Sequence, residues 1–496
     1  MLKRLCIGLW VVSHLFACGN ILDIEPETLV TYTNYFKGEE DAAALLYNIM
    51  GRVQPTFTGY DEQEVVGMKV DIINESSKYG NIMNWVPSYY LQRGRNWENH
   101  YRVIYDCNLL IDNVHRFEEI DKERLDFYVQ EEYFFRAFAY FDLVRRWGDV
   151  PVIPNSTTTE RYGKTDKMKV LEEEVIKVAE SLNLPLYDEL VGVGGAKLTS
   201  KQYGCKGTVV ALLANAYAWK AGLTGDVADW EKAEHYCTEL ISGNAGNYPL
   251  AASPQELCDK VLQRGGDETI FEIEYYITDD IFFLYEFYAA TSSMIGYPVN
   301  KTMLPSDQTA LQVSRKLVEE LYGDMENDRR VRAYFAFVEG NPVAFLKKWN
   351  FPVYVYDEFA DKDVYKIQNI NRIIWRMADI KLLRAECRAR QGKANAAEDM
   401  NDIRERAYGD RSHDYTAAEG DIQMAIFRER ERELLYEGHR FFDVMRNGYW
   451  KTELTQAFSL MTERDIKMGA QYYAVPDDAF YLNDLMVQNE YWQTKK

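Results

Sequence analysis

Apolar positions recur along this chain mostly at helical spacing. Across 99–117, Tyr101, Ile104, Tyr105, Leu109, Ile111 and Val114 return about once per turn, which predicts an amphipathic helix. A longer helix is predicted over 125–147, closed by Gly148 and Pro151. Two more are predicted over 170–190 and 423–446. Strand-like runs are short, at 269–274 and 351–356. Two aromatic-rich stretches without periodicity, roughly 55–95 and 275–305, read as irregular insertions.

Two segments, 208–242 and 377–407, share one plan. Each opens with a helix carrying a Leu-Leu pair and reaches a glycine ten residues after the first leucine, Leu212 to Gly222 and Leu382 to Gly392. Each continues into a second amphipathic helix with a small contact residue, Ala233 or Ala397. This is the pattern of a tetratricopeptide-like helix pair. The predicted fold is therefore mainly α: a scaffold of helix pairs with irregular, aromatic-rich loop insertions and a few short strands. With 496 residues, the chain exceeds the roughly 250–300 at which single cores stop growing, so packed sub-structures are expected. They are placed at 18–225 and 226–496, folded together as one unit.

The first seventeen residues are expected to lie outside that fold. Lys3 and Arg4 precede a mostly apolar run, 5–17, too short to cross a bilayer and suited to a secretory signal. The run ends Leu15-Phe16-Ala17-Cys18, which reads as a lipobox with Cys18 as the acylated residue. Loss of Lys3 and Arg4 takes the formal charge from −21 to −23. Such a surface repels phosphate backbones, which argues against a nucleic-acid partner. Cys107, Cys205, Cys237, Cys258 and Cys387 are too widely spaced for a disulfide framework, and three of them fall inside helical patterns as small buried residues. No paired Cys or His suggests zinc. A structural calcium on surface acids fits the charge but is assigned to no residue, and no other cofactor is expected.

Several motifs occur together and in order: Trp97-x3-Tyr101 followed by Ile104 and Asn108; Phe135-Arg-Ala-Phe-Ala-Tyr-Phe-Asp running into Arg146-Trp-Gly-Asp-Val-Pro151; Asp328-Arg329-Arg330; Arg376-Met-Ala-Asp-Ile-Lys-Leu-Leu-Arg-Ala-Glu386; Arg430-Glu-Arg-Glu-Leu-Leu-Tyr-Glu-Gly-His-Arg-Phe-Phe-Asp443; and Tyr473-Ala-Val-Pro476. Spread over nearly the whole mature chain, this set resembles the SusD/RagB family of Bacteroidetes surface lipoproteins. The resemblance implies an outer-membrane, cell-surface protein that captures glycan. It also implies a partner, a SusC-like TonB-dependent transporter, and no catalytic residues.

Sugars offer C–H faces to aromatic rings and hydroxyls to directed hydrogen bonds. The segment 79–95 combines both: Tyr79, Trp85, Tyr89 and Tyr90 as rings, with Asn81, Asn84, Gln92 and Arg93 as polar edges. Trp85 is expected to be the principal contact. A second segment offers Tyr275, Tyr276, Tyr285 and Tyr288. Trp97, Trp147, Trp375 and the motif arginines read as structural, and the charge run 428–433 as surface helix support worth only ~0.3–0.5 kcal/mol per pair. Three rings each covering ~50 Å² would contribute about 4 kcal/mol, roughly millimolar affinity, which suits delivery. A peptide-capturing relative and a tetratricopeptide-like protein scaffold stay open as alternatives. A glycan hydrolase would need a carboxylate pair across a cleft, and no motif marks one.

Overall fold

In the computed structural model, the described residues are 35–57, 61–72, 77–93, 95–275, 288–454 and 456–495. The signal segment and Cys18 lie outside them. Apolar periodicity and local caps set the longer helices: α1 (Glu39–Phe57), α2 (Glu98–Asn113), α3 (Lys122–Trp147), α4 (Lys206–Thr224), α5 (Val227–Ile241), α6 (Arg315–Tyr322), α7 (Met377–Arg390), α8 (Glu398–Tyr408), α9 (Ile422–Glu433) and α10 (Arg440–Asn447). Glu39, Glu40 and Asp41 occupy the first turn of α1, where carboxylates favour the helix dipole. Asp226 and Asp421 cap α5 and α9 by accepting from Ala228 N and Gln423 N.

The two predicted helix pairs form. α4 and α5, joined through Gly225 and Asp226, pack on each other; α5 then packs on α7, and α7 on α8 and α9. α1, α2 and α3 form a second layer. The matching glycines differ in role. Gly392 follows α7 at φ 68°, a left-handed turn. Gly222 lies within α4, where a Cβ would come within 2.8 Å of the Arg446 carbonyl oxygen, so the absent side chain lets α4 and α10 touch.

Strands occur as antiparallel pairs: β1 (Asp71–Ile72) with β3 (Leu311–Gln312), β2 (Thr269–Ile273) with β8 (Arg372–Arg376), β4 (Phe335–Phe337) with β5 (Ala344–Leu346), and β6 (Pro352–Asp357) with β7 (Lys362–Gln368). One apolar core runs from Phe36 to Trp492, and a smaller one lies under α7, α8 and α9. Trp97, Trp147 and Trp375 are buried, as are all five described cysteines.

Three expectations need correction. The described residues of 55–95 are largely helical: α1 continues through Pro55, and short helices form at Glu62–Gly67, Lys78–Met83 and Pro87–Arg93. The helix predicted over 170–190 ends at Ser181, where Leu182 turns extended and Asn183 N donates to Gln130 Oε1 at 2.6 Å. The helix predicted over 423–446 breaks after Glu433, with Tyr436 at φ 61° and Gly438 at φ 87°.

That break serves a buried charge network, so the run 428–433 is not surface support. Glu429, Arg430 and Glu433 are buried. Arg376, at the end of β8, sends Nη1 to Glu268 Oε1 (2.7 Å) and Glu433 Oε1 (2.8 Å), and Nε to Glu437 Oε2 (2.8 Å). Lys348 Nζ reaches the Leu435 carbonyl (2.9 Å) and Glu437 Oε1 (2.5 Å) inside the broken turn. Arg406 bridges Glu268 and Glu433, and Arg330 bridges Asp328 and Glu429. Beside it, Arg430 pairs with Asp379 and Asp443, and Arg446 with Glu386 and Asp443. The pattern had read as α-helical because every residue of 434–438 but Gly438 can be accommodated in a helix; the buried cations impose the turn.

Removing one partner from such a set strands the other charges. Arg376→Met is expected to cost about 3–5 kcal/mol in urea unfolding. Burial alone would raise the Glu437 and Glu429 carboxyls, but Arg376 with Lys348, and Arg330 with Arg432 and Arg404, overcome it and bring both from 4.5 to about 2. Folded-state values depressed in this way give stability that is complete above 4.5 and is lost as pH falls through about 2. The melting temperature is expected to decline across that window; a flat profile there would contradict the network.

Candidate functional site

The segment 77–93 is built as two short helices around a tight corner. Ser77 caps the first by accepting from Gly80 N at 3.2 Å, and Pro87 opens the second, where its missing N–H costs nothing. Between them Trp85 takes φ 46°, an uncommon value for a bulky residue. Val86 N donates to Asn81 O (3.0 Å) and Tyr90 Oη to Ile82 O (3.2 Å), closing the corner.

Trp85 is not a ligand platform. It is 2% exposed and lies among Tyr90 (4.1 Å between ring centroids), Phe458 (5.1 Å), Trp492 (6.2 Å), Tyr473 (6.3 Å) and Phe441 (6.4 Å). Tyr90 is buried in the same nest. Both leave the set of candidate contacts, because their ring faces are taken by the C-terminal tail. Tyr473 extends the lock: its hydroxyl accepts from Gln63 N at 3.0 Å. The indole anchors the corner and holds the pair of helices rigid.

What the corner leaves at its surface is smaller. Tyr79 and Tyr89 are half-buried and packed against the core edge. Asn81 is half-buried, and Asn84 and Gln92 are exposed. Arg93 closes the second helix, and its side chain lies outside the description. This arrangement can offer ring edges and carboxamides to a ligand lying flat on it.

The second predicted segment fares differently. Tyr275 is buried, with its backbone N donating to Asn371 Oδ1 at 3.2 Å. Tyr288 is fully buried, stacked on Trp349 (5.0 Å), with Arg372 over its ring and its hydroxyl accepting from Ile373 N at 2.9 Å. Burial pushes that phenol far above its usual range. Tyr275 and Tyr288 therefore hold β8 in place and leave the candidate set. Tyr276 and Tyr285 lie outside the described residues.

The structure also shows accessible rings that the sequence reading passed over. On the β6–β7 hairpin Tyr354 faces Tyr365, Tyr356 faces Asp363, and Phe359 at the tip is fully exposed. The alternation Val-Tyr-Val-Tyr over 353–356 carried that signal, since i and i+2 share a strand face. Among the described residues no group of three His, Cys, Asp or Glu is placed to hold a metal.

Comparison with known proteins now adds to this geometry. A sequence model of the SusD family matches residues 342–492, and one described as starch-binding associating with outer membrane matches residues 37–178. SusD-like protein P25 of Formosa agariphila is 24% identical over 512 residues, covering 90% of each chain; SusD-like protein P38 of the same organism is 24% identical over 477 residues, covering 87% of this chain and 88% of its own. A SusD homolog from Bacteroides thetaiotaomicron superposes with TM-score 0.75 at 21% identity, covering 92% of this chain and 98% of its own. Surface glycan-binding protein A of that organism, solved in complex with laminarihexaose, gives TM-score 0.68 at 17% identity, covering 92% of this chain and all of its own.

The anchoring role of Trp85 has a direct consequence. Trp85→Ala is expected to cost about 3–5 kcal/mol in urea unfolding, as for other aromatic deletions from a packed core. Tyr89→Ala, at the half-buried rim, is expected to cost less than half of that. Equal losses would mean that Trp85 is not the anchor.

Proposed function

Because the chain belongs to the SusD/RagB family, we propose that it binds oligosaccharide at the outer membrane and hands it to a TonB-dependent transporter without cutting it. The observation that carries this reading is the corner at Trp85. A strained, fully packed residue holds two short helices that leave Asn84 and Gln92 exposed and Tyr79, Tyr89 and Asn81 half-buried at their rim. Backbone held in a sparse conformation by its surroundings is a mark of pre-organisation. Attachment rests on the lipobox cysteine, Cys18; no described helix is long and apolar enough to cross a membrane.

The loss of Trp85 and Tyr90 from the contact set changes the arithmetic of binding. Two rings covering ~50 Å² each supply about 2.5 kcal/mol, short of the ~4 kcal/mol that millimolar binding needs. The remainder falls to the carboxamides, at about 1 kcal/mol per net hydrogen bond. Ring and amide thus contribute on the same scale, and the complex is weak enough to release its ligand to a channel.

The test is calorimetry of the detergent-purified chain against a panel of neutral oligosaccharides that includes laminarihexaose. Tyr79→Ala, Tyr89→Ala and Asn81→Ala are each expected to raise Kd about 5–10-fold with the fold intact. Absence of binding across the panel, or three variants that bind like the wild type, overturns the reading. Cys18→Ala is expected to move the protein from the membrane fraction to the soluble one; retention in the membrane would refute the lipobox.

A further inference from the structure

The buried cations described above are tied to carboxylates. One groove gathers three cations that are not. It lies between α6, the short helix Arg329–Tyr334 and the β4–β5 hairpin, as a shallow, open depression of about 680 Å³. Arg315, Arg332 and Lys347 line it. None of the three makes an ion pair with a described residue, whereas the neighbouring Lys316 and Arg330 pair with Glu320 and Asp328.

Arg315 is held ready rather than loose. Ser314 caps its helix by accepting from Leu317 N at 3.2 Å, and Arg315 N donates to the Pro342 carbonyl at 2.7 Å. Its guanidinium lies over the half-buried ring of Phe337, 4.6 Å from the centroid. Phe337 faces Ala344 across the hairpin, a residue too small to cover it. A contact with a ring face consumes none of the guanidinium's N–H donors, so they stay available to meet a planar carboxylate with two parallel hydrogen bonds. Arg332 is exposed and Lys347 half-buried, so both can add charge from the sides. Glu319 and Glu326 on the rim supply acceptors for hydroxyls, while Asp324 is engaged by Asn327 (2.8 Å) and His413 (3.6 Å).

We propose that this groove binds a saccharide bearing a carboxylate, a uronic acid unit, with Arg315 as the bidentate partner and Lys347 and Arg332 as flanking cations. The mixed walls fit such a sugar better than a bare anion, since one ligand presents both a carboxylate and several hydroxyls. The proposal rests on the glycan-binding reading and places this ligand class on residues separate from Tyr79, Asn81 and Tyr89.

The experiment is calorimetry of the detergent-purified chain with trigalacturonate, with its carboxyl-reduced form, and with a trisaccharide that has no carboxylate but carries three sulfate esters. Trigalacturonate is expected to bind at least about tenfold tighter than the reduced form, with affinity falling as salt rises. Arg315→Gln is expected to remove at least about tenfold of that affinity, and Arg315→Lys to leave it largely unrestored, because an ammonium lacks the fork. Lys347→Gln, whose side chain makes no ion pair to lose, is expected to weaken trigalacturonate without lowering the melting temperature, which guards against a folding effect at Arg315. Neutral-glycan affinity should be unchanged in all three variants, so failure of this groove and failure of the ring-and-amide corner are read separately. The proposal is overturned if trigalacturonate binds no better than its reduced form, if Arg315→Gln and Lys347→Gln bind it like the wild type, or if the sulfate ester binds tighter than the carboxylate.

Discussion

The junction of Arg376 with Glu268, Glu433 and Glu437 is the constraint from which much of this molecule's shape follows. The carboxylates come from two distant parts of the chain: Glu268 precedes β2, while Glu433 ends α9 and Glu437 lies in the turn beyond it. A buried guanidinium tolerates only a narrow set of positions for its partners, because each unsatisfied N–H in a low-dielectric interior is costly. The turn 434–438 must therefore leave the helical path so that Glu437 and the carbonyls of Glu433 and Leu435 can face Arg376 and Lys348. The direction of α10 is set by that departure. α10 in turn carries Phe441 toward the Trp85 nest and Arg446 against Gly222 of α4. A network of this kind adds specificity more surely than net stability, since apolar replacements can be equally stable but would not dictate one turn geometry.

The aromatic nest around Trp85 does the same job a few residues further along, in α10, with different physics. Rings from 85 and 90 meet rings from 441, 458, 473 and 492, so residues four hundred apart in sequence close a single packed cluster. Burial of this area is what holds Trp85 in a left-handed conformation. The two devices are joined through α10. The candidate surface at 79–92 is thereby fixed by packing beneath it.

Much of this frame could be read from the sequence, and the part that could not has a physical reason. Helical patterning located α2, α3 and both helix pairs; α2 and α5 bury one face and wet the other, whereas α4 is buried nearly all round. The break in 423–446 was invisible, since Glu433 and Glu437 look like solvated charges until Arg376, some sixty residues earlier, is known to lie between them. The candidate site was misjudged for the complementary reason. Composition identifies a cluster of rings and amides but not which ring faces inward. Trp85 has the largest ring to offer a ligand, but large rings also gain most from burial. Tyr79, Asn81 and Tyr89 kept surface because the corner turned around Trp85. The groove at Arg315 carried no local signal at all: it depends on Phe337 facing a small Ala344 across a hairpin whose register the sequence does not declare.

Charge distribution links these observations. The chain carries 57 Lys and Arg against 78 Asp and Glu, and the interior network consumes cations and anions in near balance. The excess negative charge is therefore left outside. An anionic ligand approaching this surface meets net repulsion that decays over about one Debye length, near 8 Å in physiological salt. Arg315, Arg332 and Lys347 offset that charge locally: they share one groove with Glu319, Asp324 and Glu326, so a carboxylate entering it meets walls without net formal charge. A neutral sugar feels no such barrier and needs only ring edges and carboxamides. The same acidic surface would thus separate two ligand classes, admitting neutral glycan at the Trp85 corner and carboxylate-bearing glycan at the groove.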